Sequence, residues 1–225
     1  MVTACWSLKG GSGTTVISAG LALAMARRRL GRDVLLVDLA GDLPALLAMP
    51  EPGGPGIAEW LAAGPSVPPD ALARLEEPVT SGLTLLHRGS GPLHAARGSV
   101  LIQVLAGSGR DVVVDCGNLP LIDGVSDGQS GLALQVAAEA SRSLLVTRAC
   151  YLAVRRFDRC LVSPSGVVVV RESARALSDV DVANRLGVPV VASVAVDPAV
   201  GRAVDCGLMV SRMPRRFAEV MGEVA

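Results

Sequence analysis

Residues 2–19 read VTACWSLKGGSGTTVISA, and three kinds of segment meet in them. Val2-Thr3-Ala4-Cys5-Trp6 is apolar and partly β-branched, the composition of a strand. Lys9-Gly10-Gly11-Ser12-Gly13-Thr14-Thr15 is a glycine-dense turn. Val16 to Leu30 is rich in Ala, Leu and Met, favours helix, and stops at Gly31. A strand that turns through glycines into a helix presents successive backbone N–H groups at a helix N-terminus, where the helix dipole also favours negative charge. This is the build of a phosphate-binding loop. The pattern G-x-x-x-x-G-K-[ST] asks for Lys at position 14, and this sequence has Thr14. A plain tight turn shares the outline, so the loop has to be read with the rest of the chain.

Outward from the loop, short apolar runs alternate with helical patterns. Val34-Leu35-Leu36-Val37 closes on Asp38, and Leu83–Leu86, Val112–Val114, Leu144–Val146, Val167–Val170 and Val190–Val194 follow. These runs are apolar throughout rather than alternating, as in strands buried on both faces. Helical patterns lie between them at about 57–63, 69–75, 95–106, 130–140, 152–162, 178–186, 198–205 and 214–223. Strand–helix alternation at this spacing predicts a three-layer α/β fold, a mostly parallel sheet flanked by helices. Pro/Gly clusters at 49–56, 64–69 and 117–131 read as surface loops, so residues 1–225 are expected to form one domain.

Composition narrows the function classes. The 225 residues are half hydrophobic, enough for a large core, and Lys+Arg equals Asp+Glu at 21 each. A neutral chain argues against disorder and against a uniformly basic nucleic-acid protein. No apolar run reaches a membrane-spanning length, and MVTACWSLKGG has neither a basic nor an apolar leader region. The five cysteines show no C-x-x-C, so neither a zinc ribbon nor a redox dithiol is signalled, and reduced thiols in the cytoplasm are expected. Of the 21 basic residues only one is Lys, and it is Lys9, in the glycine turn.

With these residues in view, the sequence resembles the ParA/MinD superfamily of P-loop ATPases. Lys9, Gly10, Gly11, Gly13 and Thr15 match its deviant loop K-G-G-x-G-K-[ST]. Asp38 matches the first Asp of its D-x-D, and Asp115 in DVVVDCG matches its Walker B Asp. The segments SLLVTRACYLAVRRF and DVANRLGVPVVASVAVDPAVGRAVDCGL are similar to its later strands and helices. Within the superfamily the loop looks most like the divergent CpaE/TadZ group, which places pilus and secretion machinery.

The resemblance implies a P-loop NTPase-like domain that binds ATP with Mg²⁺ through Lys9, Gly10, Gly11, Ser12, Gly13, Thr14 and Thr15. Lys9 would reach the phosphate of a partner protomer in a homodimer. Thr15, Asp38 and Asp115 would hold the metal or its water, although a turn-forming role explains Asp38 nearly as well. Two departures fall on the chemistry: Thr14 replaces the phosphate-binding Lys, and Ala40 replaces the water-organising Asp. Losing one charge-assisted contact costs roughly 1.5–3 kcal/mol. Weak or absent hydrolysis is therefore expected, with Asp42 the nearest substitute for the missing Asp. The implied role is a positional or assembly switch of the pilus/secretion or chromosome-partitioning kind, cytoplasmic or recruited to a polar or membrane-associated complex. The alternative is a nucleotide-independent pseudo-ATPase scaffold that binds partner proteins.

Two surface features complete the reading. Arg148, Arg155, Arg156 and Arg159 cluster after a strand and suit either a DNA backbone or local ion pairs. Phe217, Val220, Met221 and Val224 recur at i, i+3, i+4 and i+7, an apolar stripe expected to pack on its own domain rather than on a membrane.

Overall fold

Every apolar run named above forms a strand, and an additional short one pairs at the edge. The computed structural model describes residues 1–28, 33–122 and 128–225. The strands are β1 (Val2–Ser7), β2 (Val34–Asp38), β3 (Glu77–Thr80), β4 (Leu83–Leu86), β5 (Asp111–Asn118), β6 (Arg142–Arg148), β7 (Gly166–Arg171) and β8 (Val190–Ala195). They make one sheet in the order β3-β4-β2-β5-β1-β6-β7-β8. Only β3 runs antiparallel, against β4. It was not expected from the sequence, since Glu77-Pro78 disfavours a strand; an edge position tolerates the missing N–H of Pro78.

The helices among the described residues are α1 (Thr14–Arg28), α2 (Leu43–Leu46), α3 (Ile57–Ala62), α4 (Gly98–Gly107), α5 (Gly128–Glu139), α6 (Tyr151–Arg155), α7 (Asp179–Leu186), α8 (Pro198–Asp205) and α9 (Arg215–Val224). The pattern at 69–75 forms a 3₁₀ helix, and 156–159 continues α6 as another. The expected end of the first helix at Leu30 and Gly31, and part of the loop 117–131, lie outside the described residues.

Side chains of successive strand residues enter opposite cores, which is why the strand sequences do not alternate in polarity. Leu35 and Val37 join one apolar cluster with Ala4, Trp6, Val112 and Val114. Val34 and Leu36 join the other, with Cys5, Val113, Val146 and Val168. Helix α1 lies in the second layer and is buried nearly all round, with Ile17, Leu21, Leu23 and Met25 at 2% exposure or less. A helix apolar on every side needs cover on both sides. The sheet supplies one cover and α9 the other. Phe217, Met221 and Val224 of α9 are buried in that layer, so the C-terminal stripe packs on its own domain as expected.

Candidate phosphate-loop site

The parallel topology brings three strand ends together. β5 lies between β2 and β1, so the C-terminal ends of all three open on one edge of the sheet. Asp38 and Asp115 are register partners across β2 and β5, and Cys5 stands opposite Asp115 from β1. The chain leaves β1 through the glycine turn and enters α1 with the Ile17 amide bonded to the Gly13 carbonyl at 3.0 Å.

The turn has an open cradle. Gly11 and Gly13 have φ of +75° and +91°, conformations that side-chain-bearing residues resist. A Cβ at Gly10 or Gly11 would meet nothing within 4 Å, so the outer face of the turn is open space. The Ser12 hydroxyl donates inward to the Lys9 carbonyl at 2.7 Å, and the Ser7 hydroxyl lies 3.3 Å from both the Lys9 and Gly117 carbonyls. These bonds tie the turn to the end of β5. Thr14 is buried at 6% exposure, and its carbonyl receives the Ser18 hydroxyl at 2.9 Å.

Asp115 is fully buried beside Thr15. Its Oδ1 accepts the Gly117 amide at 3.1 Å, and its Oδ2 is buried with no hydrogen-bond partner among the described residues. Burial pushes its carboxyl up to about 7, and the charge of Asp38 adds to the rise. The Thr15 hydroxyl pulls the other way, but the two groups fall short of hydrogen-bond geometry at Oδ2. Among the described residues this oxygen is thereby orphaned. A buried polar atom without a partner is unfavourable and marks a place where a ligand supplies what the protein does not. An acidic oxygen beside a hydroxyl at a phosphate cradle fits a hard divalent ion such as Mg²⁺.

Asp38 is arranged differently. Both of its oxygens are engaged by the turn that follows it: Oδ1 takes the amides of Ala40 and Gly41, and Oδ2 that of Leu43. Burial raises its carboxyl, and these three bonds oppose the rise. The geometry is that of a turn-forming Asp. Ala40 lies at the mouth of the site, since a Cβ on Gly117 would come within 3.1 Å of the Ala40 Cβ. Asp42 is exposed before α2 and makes no capping bond, yet its charge is felt at both Asp38 and Asp115.

Beside the cradle runs an apolar slot of about 370 Å³, lined by Ser12, Gly13, Val170, Val196, Pro198 and Phe217 among others. Its apolar lining suits the face of a flat heterocycle. On the opposite side Lys9 is half-buried, makes no ion pair among the described residues, and faces a basin with Leu152, Arg155, Arg156, Asp158 and Arg159. Leu152 stands 64% exposed in its lining, and the neighbouring Tyr151 stands 66% exposed.

The four clustered arginines divide in two. Arg156 donates to the Leu8 carbonyl at 2.8 Å, and Arg148 donates from Nη2 to the Gly11 carbonyl at 2.6 Å. Arg155 and Arg159 stay on the exposed face. Sequence reading grouped the four as one surface patch and missed that two of them brace the turn. The only signal available was that β6, which ends at Arg148, would neighbour β1.

Comparison with known proteins agrees with this geometry. No curated protein sequence matches the chain closely. Among solved structures it is similar to a ParA family ATPase from Chlorobium tepidum at 20% identity and a TM-score of 0.76, covering 99% of this chain and 97% of that one. The cell division ATPase MinD of Pyrococcus furiosus aligns at 19% identity and 0.77, over 99% and 97%. MinD of Pyrococcus horikoshii in complex with Mg-ADP aligns at 18% and 0.77, over 99% and 93%. Identities this low speak for the fold. The family model of the CobQ/CobB/MinD/ParA nucleotide binding domain matches residues 3–210. Since that model spans residues 3–210 of the 225, this chain belongs to the CobQ/CobB/MinD/ParA nucleotide binding domain family.

Proposed function

We propose that this chain is a homodimerising switch, a single domain that binds ATP with Mg²⁺ at residues 9–15 and hydrolyses it slowly or not at all. The observation that carries the reading is the orphaned, fully buried Oδ2 of Asp115 beside Thr15, under an open glycine cradle. Thr15 and Asp115 would hold the ion. Among the described residues no group of three His, Cys, Asp or Glu converges on a metal site of its own. The remaining oxygens would therefore come from phosphate and water. Mg²⁺, when bound, offsets phosphate charge. The chain's own part is to hold the polyphosphate on the loop amides and the base in the apolar slot.

Slow turnover follows from what replaces the usual groups. Phosphoryl transfer relies on positioning and charge stabilisation. Thr14 brings no charge, and Ala40 brings no group to orient water. The role as a positional or assembly switch, of the partitioning kind or the pilus and secretion kind, draws support from the solved relatives, one of them a cell division ATPase. Lys9, free in its basin and flanked by exposed Tyr151 and Leu152, suits a surface that a second copy would cover.

The test is titration with ATP–Mg²⁺, read by calorimetry and by mass in solution. Binding at micromolar to millimolar nucleotide with doubling of mass is the expected result. No binding at millimolar nucleotide would leave the scaffold reading, which Thr14 and Ala40 favour.

A further inference from the structure

Thr14 leaves the turn without the cation its loop pattern asks for, and another side chain occupies the vicinity. Arg148 ends β6, beside β1, and its guanidinium lies against the turn. Nη2 donates to the Gly11 carbonyl at 2.6 Å, and Nη1 is paired with Glu172. Nε is buried and has no acceptor among the described residues. Arg148 also lines the apolar slot together with Ser12 and Gly13, so it stands where the cradle and the slot join.

We propose that Arg148 is the phosphate-facing cation of this site, supplied from β6 in place of the lysine that position 14 lacks. The inference rests on the nucleotide-binding reading above. Three observations carry it. First, charge is present: Glu172 is shared between Arg148 and Arg175, so the three groups together carry one net positive charge, and Arg148 is the one of them bonded to the turn. Second, position is fixed: two of the three guanidinium nitrogens are held, one by the turn itself. A planar guanidinium held on one edge presents its other donors in a set direction. Third, a donor is left over. A buried N–H with no acceptor is unfavourable, and a phosphate oxygen entering at the junction is the acceptor it lacks. Lys9 does not fill this place, since it lines the basin with Leu152 and Asp158 and not the slot.

The experiment titrates ATP–Mg²⁺, ADP–Mg²⁺ and AMP into the wild type, Arg148→Gln, and Arg148→Gln combined with Thr14→Lys. Arg148→Gln should weaken ATP binding by roughly 10- to 150-fold, the loss of one charge-assisted contact, and weaken AMP far less. Adding Thr14→Lys should recover about tenfold or more of the ATP loss. Arg148→Gln binding ATP like the wild type overturns the assignment. So does an equal loss for ATP and AMP, which would assign Arg148 to the slot or to the shape of the turn. If the wild type binds no nucleotide at millimolar concentration, the nucleotide reading itself fails and takes this inference with it. Should Arg148→Gln not fold, the wild type decides by nitrogen NMR of the arginine Nε–H groups. The Arg148 resonance should move on adding ATP–Mg²⁺ or inorganic tripolyphosphate and stay still with adenosine. A resonance unmoved by both polyphosphates overturns the proposal.

Discussion

The carboxylate of Asp38 receives the Leu43 amide at 3.0 Å through Oδ2, while Oδ1 takes the amides of Ala40 and Gly41. Three donors on two oxygens close the turn after β2, and that turn carries Ala40 to the mouth of the site. Replacing Asp38 with Ala would strand the buried Leu43 amide at about 1–3 kcal/mol and release the Ala40 and Gly41 amides, which stand on exposed residues, to water. We expect Asp38→Ala to lower unfolding free energy by about 1–3 kcal/mol in urea titration. Asp38→Asn, which keeps one acceptor, should lose less and retain nucleotide affinity. A collapse of affinity in a well-folded Asp38→Asn would instead give Asp38 a direct part in holding the metal.

Asp115 makes a pH prediction. Its carboxyl titrates near 7 in the folded protein against an ordinary 3.8. Below about pH 4 both folded and unfolded chains hold the proton. Between about 4 and 7 only the folded chain does, so stability falls as pH rises through that window and levels off above it. Asp115→Asn removes the buried charge. It should therefore melt higher than the wild type at pH 8, by a few kcal/mol at about 1.4 kcal/mol per pKa unit. Near pH 4 the advantage should vanish. A constant difference across this range would show that burial does not hold the proton on Asp115. ATP–Mg²⁺ should narrow the gap at pH 8, because a cation at Oδ2 favours the ionised form.

Turnover should sit at background because position 40 carries a methyl group. Steady-state phosphate release well above a no-protein control, and lost in Asp115→Ala, would sink this and make the protein a competent ATPase. The Ala40 Cβ lies close to Gly117, so the position is already at the site. Ala40→Asp combined with Thr14→Lys should raise release by about 10²-fold, the lower range for a positioned base. Asp42→Asn in the wild type should abolish any residual turnover if that exposed carboxylate stands in for the missing one.

Lys9→Ala should leave the melting temperature nearly unchanged, since the side chain makes no ion pair among the described residues. It should also prevent nucleotide-dependent doubling of mass in light scattering. A mutant that dimerises like the wild type would remove Lys9 from the interface.

Gly20 of α1 meets Phe217 of α9 so closely that a Cβ would lie 2.4 Å from the ring. Gly20→Ala should cost about 1–3 kcal/mol as an overpacked core, and Phe217→Leu in the same chain should return part of it. Additive losses in the double-mutant cycle would mean that the two sites are not coupled. Removing residues 212–225 should lower thermal stability and expose apolar surface. A truncated chain of equal stability, with the full chain binding anionic vesicles, would assign α9 to membranes.

Much of this architecture was legible because the apolar runs are short, continuous and separated by helical patterns, which leaves a parallel sheet as the arrangement that buries them. The glycine turn was legible for a similar reason: few contexts place Gly10, Gly11 and Gly13 between a strand and a helix. β3 was hidden because Pro78 breaks the strand pattern and only its edge position rescues it. The split of Arg148 and Arg156 from Arg155 and Arg159 was hidden too. Neighbours in sequence part company when strand ends and helix faces point them to different places, and register decides that. The spare oxygen of Asp115 and the engaged oxygens of Asp38 differ only in the turns that follow them, which sequence pattern does not resolve.

The central position of β1 has a consequence for synthesis. Val2 pairs with Val112, and Thr3 pairs with Arg142. The strand that feeds the glycine turn is made ahead of both of its partners, β5 and β6, and waits for them while the segments between are synthesised. At roughly 5–20 residues per second that delay is on the order of ten seconds. During it Val2, Ala4 and Trp6 have no sheet to enter and the glycine turn has no fixed shape. The cradle that the proposed function rests on therefore takes its shape only when β6 arrives, late in the order of the strands that hold it.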